Sequence, residues 1–275
     1  MENPGRWKHS AIIYCCLVVV ISWSLWISAE RSGDATLNFS ILLLDVHIPR
    51  ETVLVILGNV APGLVAIVMG LVNGENPFRN LLRTPRAPSF LYAFAIFAPL
   101  AFSLSLFMAQ ENLSLSAFAS LRLSRLVRLF LANIFLAPLW EEMGWRGYLL
   151  PNLSKRIGLG RAALFVGFIW ASWHLVLYRF VFRTSLYSYI SAFVGIVAMA
   201  VILAVLYSAS GGSLLLPVVF HAAWNASTLW VSAVEPRYSL GPTMLQVAAM
   251  WILAGIAWLW YRRLRDKPLV YPSIP

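Results

Sequence analysis

Three short spacings in this 275-residue sequence gather the residue types that perform acid–base chemistry. Glu141-Glu142-x-x-x-Arg146 sets two carboxylates and a guanidinium close together. Trp170-x-x-x-His174 and His221-x-x-x-Asn225 each put a polar pair on one face of a helix. Glu142 and Arg146 share a face and can pair. Glu141 is rotated from Glu142 by about 100° and is free to point elsewhere. A glutamate beside a histidine, in a cavity shielded from bulk water, is a general base for a water nucleophile. A second histidine with an asparagine on its own face can donate hydrogen bonds to a developing oxyanion. Together these parts suit hydrolysis of an amide. Glu, His and His are also a set that can hold zinc with one position open for water, although the sequence has no H-E-x-x-H pair.

The elements that carry these residues are apolar. The chain is 60% hydrophobic and 12% charged, against roughly a quarter charged for a soluble domain. Runs long enough to cross a bilayer fall near 11–28, 54–72, 90–109, 128–151, 161–180, 187–208, 212–232 and 243–262. The interiors of the first, second, third, sixth and eighth runs contain no Asp, Glu, Lys, Arg or His. The fourth holds Glu141, Glu142 and Arg146, the fifth His174 and the seventh His221. A charged residue at the centre of a spanning helix costs about 2.5–3.5 kcal/mol, so such residues mark function by default. At about 1.5 Å per residue, Glu141 lies roughly 15 Å from the end of its run, and His174 and His221 about 19 and 14 Å from the starts of theirs. Those three ends share one membrane side in any alternating topology, so the three side chains can meet at one depth. Pro138 and Pro217 each remove a helical hydrogen bond close to a polar group.

These readings predict an all-α, polytopic membrane protein of about eight transmembrane helices around a buried active-site cavity. A single domain over 1–275 is expected, with its motif-bearing core at 128–232. The longer connections are 29–53 and 110–127, and the second reads as an interfacial amphipathic helix. The net charge of +10 fits Lys and Arg gathering near lipid headgroups. No aromatic-interleaved basic patch supports nucleic-acid binding. The N-terminal apolar run is too long for a signal peptide and reads as a retained first span. Twelve Lys and Arg against eight favour both termini in the cytoplasm and a place in the cell membrane. The neighbours Cys15 and Cys16 read as packing residues.

The three motifs, in this order, resemble the CPBP family: the CAAX protease and bacteriocin-processing (Abi) family of intramembrane endopeptidases. The second motif of that family often starts with Phe, where this chain has Trp170. The resemblance implies that Glu141 activates the attacking water together with His174, and that His221 and Asn225 stabilise the oxyanion. Glu142, Arg146 and Trp170 would orient and support the site. It implies a membrane-associated peptide as substrate, either prenylated at a CAAX end or of the bacteriocin type. It leaves open a metalloendopeptidase, with zinc on Glu141, His174 and His221, or a metal-free glutamate mechanism. From the residues alone, two other classes compete. One is a transporter or proton relay using the same Glu and His residues, and the other a non-catalytic membrane scaffold.

Overall fold

A computed structural model describes residues 6–41, 44–74, 76, 78–84, 86–108, 121–232 and 244–265. The helices are α1 (Arg6–Glu30), α2 (Arg50–Val72), α3 (Ser89–Met108) and α4 (Leu123–Leu136). They are followed by α5 (Pro138–Ile157), α6 (Leu159–Val181), α7 (Leu186–Ala209), α8 (Leu215–Ser232) and α9 (Met244–Arg265). Every apolar run falls on a helix, and the protein is an all-α integral membrane protein. Among the described residues, five helices (α1, α2, α6, α7 and α9) are long and apolar enough to cross by length and hydropathy, and α4 with α5 makes a sixth if counted as one bent span, against the eight expected. The run at 128–151 is thus two helices meeting at 42°. Ala137 breaks the helical path with φ −148° and ψ −62°, and Pro138 restarts it, its fixed φ suiting a first helical turn.

The connection 29–53 holds an antiparallel hairpin, β1 (Thr36–Ile41) and β2 (Leu44–Pro49). Its register pairs Leu37 with Ile48, Phe39 with Val46 and Ile41 with Leu44. Strict alternation in TLNFSI and LDVHIP carries that signal. Of the interfacial helix expected at 110–127, residues 110–120 lie outside the described residues.

One apolar core buries residues of every helix except α4, whose Ile134 packs against it, and includes Tyr14, Val65, Ala95, Trp145, Trp170, Leu203, Phe220 and Met250. Three prolines show how the bundle satisfies its backbone. A proline cannot donate to the carbonyl four residues before it, and hydrocarbon offers no water to replace that bond. Pro62 frees the carbonyl of Gly58, which accepts from Ser22 Oγ at 2.8 Å. Pro151 frees that of Gly147, which accepts from Asn80 Nδ2 at 3.0 Å. Pro217 frees that of Ser213, which accepts from Ser210 Oγ at 3.0 Å. The first two repairs tie a separate segment to a helix that carries, or backs, the polar cluster, and the third closes the turn that leads into α8. The α2–α5 crossing is close enough to require Gly144: a Cβ there would stand 2.7 Å from the Pro62 backbone.

Candidate active site

Helices α5, α6 and α8 carry the polar cluster. Glu141, Glu142, Arg146 and His221 are at most 4% exposed. Helix α5 widens into a π-helical stretch, Met143–Leu149, directly after Glu142. Helix α6 does the same at Leu177–Val181, just past His174. Such widened turns recur at functional sites, because one extra residue per turn re-aims the side chains around it.

Glu142 is the electrostatic centre of the cluster. Its Oε1 accepts from Arg146 Nη1 at 3.0 Å and from His221 Nδ1 at 2.9 Å. A carboxylate needs both partners here, because a buried charge without them carries several kcal/mol of lost solvation. Glu141 points away to α6, where Trp170 Nε1–H donates to its Oε2 at 2.6 Å. The two adjacent carboxylates are therefore held by different helices. Only Oε2 of Glu141 is engaged by the indole, so Oε1 is the atom from which it can address a ligand.

Trp170 is the hub of the cluster. The Arg146 guanidinium lies 4.4 Å from its ring centroid, a stacking that suits a weakly hydrated planar cation. His221 meets it in a T-shaped contact at 5.2 Å and His174 in a tilted one at 5.8 Å. Sequence reasoning gives this tryptophan a supporting part. Its indole N–H is the part that a phenylalanine at the same position would lack.

Both histidines are oriented through Nδ1. His174 Nδ1 stands 2.8 Å from the Trp170 carbonyl, which can only accept. Nδ1 therefore carries the proton, and Nε2 of the neutral ring keeps its lone pair. His221 Nδ1 donates to Glu142 in the same sense. Asn225 lies one turn beyond His221 on α8, half-buried. The structure thus brings together Glu141, Glu142, Arg146, Trp170, His174 and His221, with Asn225 alongside rather than bonded into the network.

Several neighbours escape a reading of the sequence by motif. Tyr178 packs its ring edge against His174 at 5.8 Å; His174-x-x-x-Tyr178 has the spacing of the other motifs, which is a signal that could find it. Trp145 and Trp173 are fully buried and pack edge-on at 5.7 Å. Tyr14 of α1 backs Trp145 and Tyr148, at 5.8 and 5.0 Å. No local pattern links α1 to α5, so only the fold shows that contact.

Among the described residues, no three or more His, Cys, Asp or Glu side chains converge as ligands of one metal ion. Glu141 is turned to Trp170 and His221 to Glu142. As arranged, the set Glu141, His174 and His221 does not fit a zinc centre, and the chemistry below takes no step through one.

Comparison with known proteins bears out the CPBP resemblance. The family described as Rce1-like, "Type II CAAX prenyl endopeptidase Rce1-like", matches residues 123–227, which contain all three motifs. A CAAX prenyl protease 2 of Methanococcus maripaludis is 30% identical over 99 residues, 34% of this chain and 36% of that protein. The aligned stretch spans about a third of that relative's length.

Proposed function

We propose that this chain, whose segment 123–227 belongs to the CPBP family, is an intramembrane endopeptidase. The substrate is a membrane-associated peptide. The relative's name makes a prenylated CAAX-type C-terminus the first class to offer, with bacteriocin-type peptides as the second. The observation that carries the reading is the division of labour between the adjacent carboxylates: Glu142 is bound to Arg146 and His221, while Glu141 keeps one oxygen free and is held by Trp170, whose ring and carbonyl also meet His174.

In this reading the free oxygen of Glu141, with Nε2 of His174, removes a proton from water. The water oxygen then adds to the scissile carbonyl carbon. The carbonyl oxygen takes the negative charge and is met by the Asn225 amide and by Nε2–H of His221, which enters the step already an imidazolium with Nδ1–H on Glu142. Glu142 balances the imidazolium, and Arg146 holds Glu142 in turn. Collapse of the intermediate breaks the C–N bond, and the proton taken from water passes to the leaving amine. General-base and oxyanion groups of this kind each contribute about 10²–10⁴-fold.

A transporter or proton relay needs polar groups strung across the membrane. Here they gather in one buried cluster, which supports the hydrolase over that class and over a silent scaffold. The bundle acts as a single domain with both termini in the cytoplasm of the cell membrane, following the excess of Lys and Arg on that side.

The test is cleavage of membrane peptides, prenylated and not, by wild type, Glu141→Ala and His174→Ala. Wild-type cleavage with a loss of at least about 10²-fold in both variants supports the reading. Equal cleavage by all three proteins, or none by wild type across a broad peptide library, overturns it. Metal removal by a chelator, with metal content measured, is expected to leave cleavage intact, since Glu141 and the histidines are engaged elsewhere.

A further inference from the structure

Away from the polar cluster, a cavity of about 570 Å³ opens between α2, α5 and the end of α7. Arg79, Arg83 and Lys155 line it with Asn76, Asn152 and Tyr207. Among the described residues, no Asp or Glu lines it. Among the described residues, none of these three cations forms an ion pair with an acid; Glu142 pairs with Arg146 and His221 instead. Its described lining residues carry three positive charges, on Arg79, Arg83 and Lys155.

Two observations separate it from a loose basic surface. First, the loop bearing the arginines is built into the bundle. Asn80, between them in sequence, donates through Nδ2 to the Gly147 carbonyl that Pro151 leaves free. Its own carbonyl accepts from Leu214 N at 3.1 Å, and Arg86 N donates to the Ser210 carbonyl at 3.1 Å. Second, Phe78 and Leu82, each one residue before an arginine, are 42% and 77% exposed. Apolar side chains beside cations on one short loop suit a ligand with an anionic head and an apolar tail. Depth agrees: Lys155 lies 14 residues beyond Glu141, at most about 21 Å at the α-helical 1.5 Å per residue, since the π-helical turns of Met143–Leu149 rise less. With Glu141 near the mid-plane, that reaches the headgroup layer, roughly 15–22 Å out.

We propose that this cavity binds the phosphate headgroup of an anionic phospholipid, with Arg79, Arg83 and Lys155 as its cationic ligands. The fold couples the site to the polar cluster. Asn80 holds the Gly147 carbonyl within the π-helical stretch of α5, directly after Arg146. Occupancy of the cavity therefore steadies the turn that presents Arg146 to Glu142.

The test measures lipid retention by the full chain in zwitterionic nanodiscs titrated with phosphatidylglycerol, read by native mass spectrometry and thermal melting. It requires no peptidase activity, so its failure and that of the protease reading are distinguishable. Wild type should retain phosphatidylglycerol over phosphatidylcholine and melt higher in its presence. The triple variant Arg79→Gln/Arg83→Gln/Lys155→Gln should bind it roughly a hundredfold more weakly, since each surface cation near anionic lipid contributes about fivefold. Lys155→Gln alone, at an exposed position, should show a smaller loss and covers the case where the triple variant misfolds. The control is Arg262→Gln/Arg263→Gln, exposed residues of α9, whose Trp258 packs near Gly160 on the same membrane side. Retention unchanged in that control supports a built site. Equal losses in pocket and control variants, no preference over phosphatidylcholine, or displacement by millimolar inorganic phosphate would each overturn the proposal.

Discussion

Helices α4 and α5 are two limbs of one apolar run, yet they treat charge in opposite ways. Helix α4, with Arg122 at its N-cap, carries Arg125 and Arg128; all three are exposed, and none of its residues is buried. Helix α5 begins after a single intervening residue, Ala137, and takes Glu141, Glu142 and Arg146 almost wholly out of solvent. Composition does not separate the limbs; neighbours do. Helix α4 rests mainly on α8, with its arginines facing outward. Helix α5 is enclosed by α2, α6 and α8, which bring Trp170 and His221 to its carboxylates. A charge stays buried where hydrogen bonds meet it, and is turned outward where none do.

That contrast can be broken most severely at Glu142. Glu142→Ala strands Arg146 and releases His221, and should destabilise the bundle by about 3–5 kcal/mol, the cost of removing one partner of a buried pair. Denaturant unfolding in detergent would measure it, and peptide cleavage should vanish alongside. Trp170→Phe comes next, because it keeps the ring under Arg146 and deletes only the N–H to Glu141. A hydrogen bond to a charged group is worth about 1.5–3 kcal/mol, so kcat should fall roughly tenfold to a hundredfold. Because the ring is kept, the melting temperature should move less than for Glu142→Ala. An unchanged kcat would show that the indole merely packs. Gly144→Ala drives a Cβ into the Pro62 backbone and should cost about 1–3 kcal/mol of thermal stability through overpacking. Smallest is Arg125→Ala on α4, for which a change below about 0.5 kcal/mol is expected. A large loss there would end the comparison, because α4 would then hold a charge as tightly as α5 does.

Much of the site is legible because helical spacing converts directly into shared faces. Glu142–Arg146 forms at the predicted i,i+4 positions, and the depth match of Glu141, His174 and His221 follows from a rise that every α-helix shares. The role of Trp170 is not legible to that extent. A tryptophan among apolar residues reads as packing, and its N–H matters only once Glu141 stands 2.6 Å away on another helix. The bend at Ala137 is hidden because the apolar run continues through it. The hairpin at 36–49 shows in its alternation, but a stretch between two long apolar runs reads as a mere connection.

The sequence by itself determined the chemical inventory and its coarse placement: which residues can move protons, which helices carry them, and that they reach a common depth. Apolar periodicity and the obligatory backbone bonding of helices in hydrocarbon leave little freedom there. Only the tertiary structure decided which partners from other helices each carboxylate meets. It added His221 to the Glu142–Arg146 pair, gave Glu141 to Trp170, and sent Ser22, Asn80 and Ser210 to the carbonyls that the prolines had freed. Adjacent glutamates are chemically identical in a sequence. They differ once a fold surrounds them, because a buried charge takes its role from the donors that reach it.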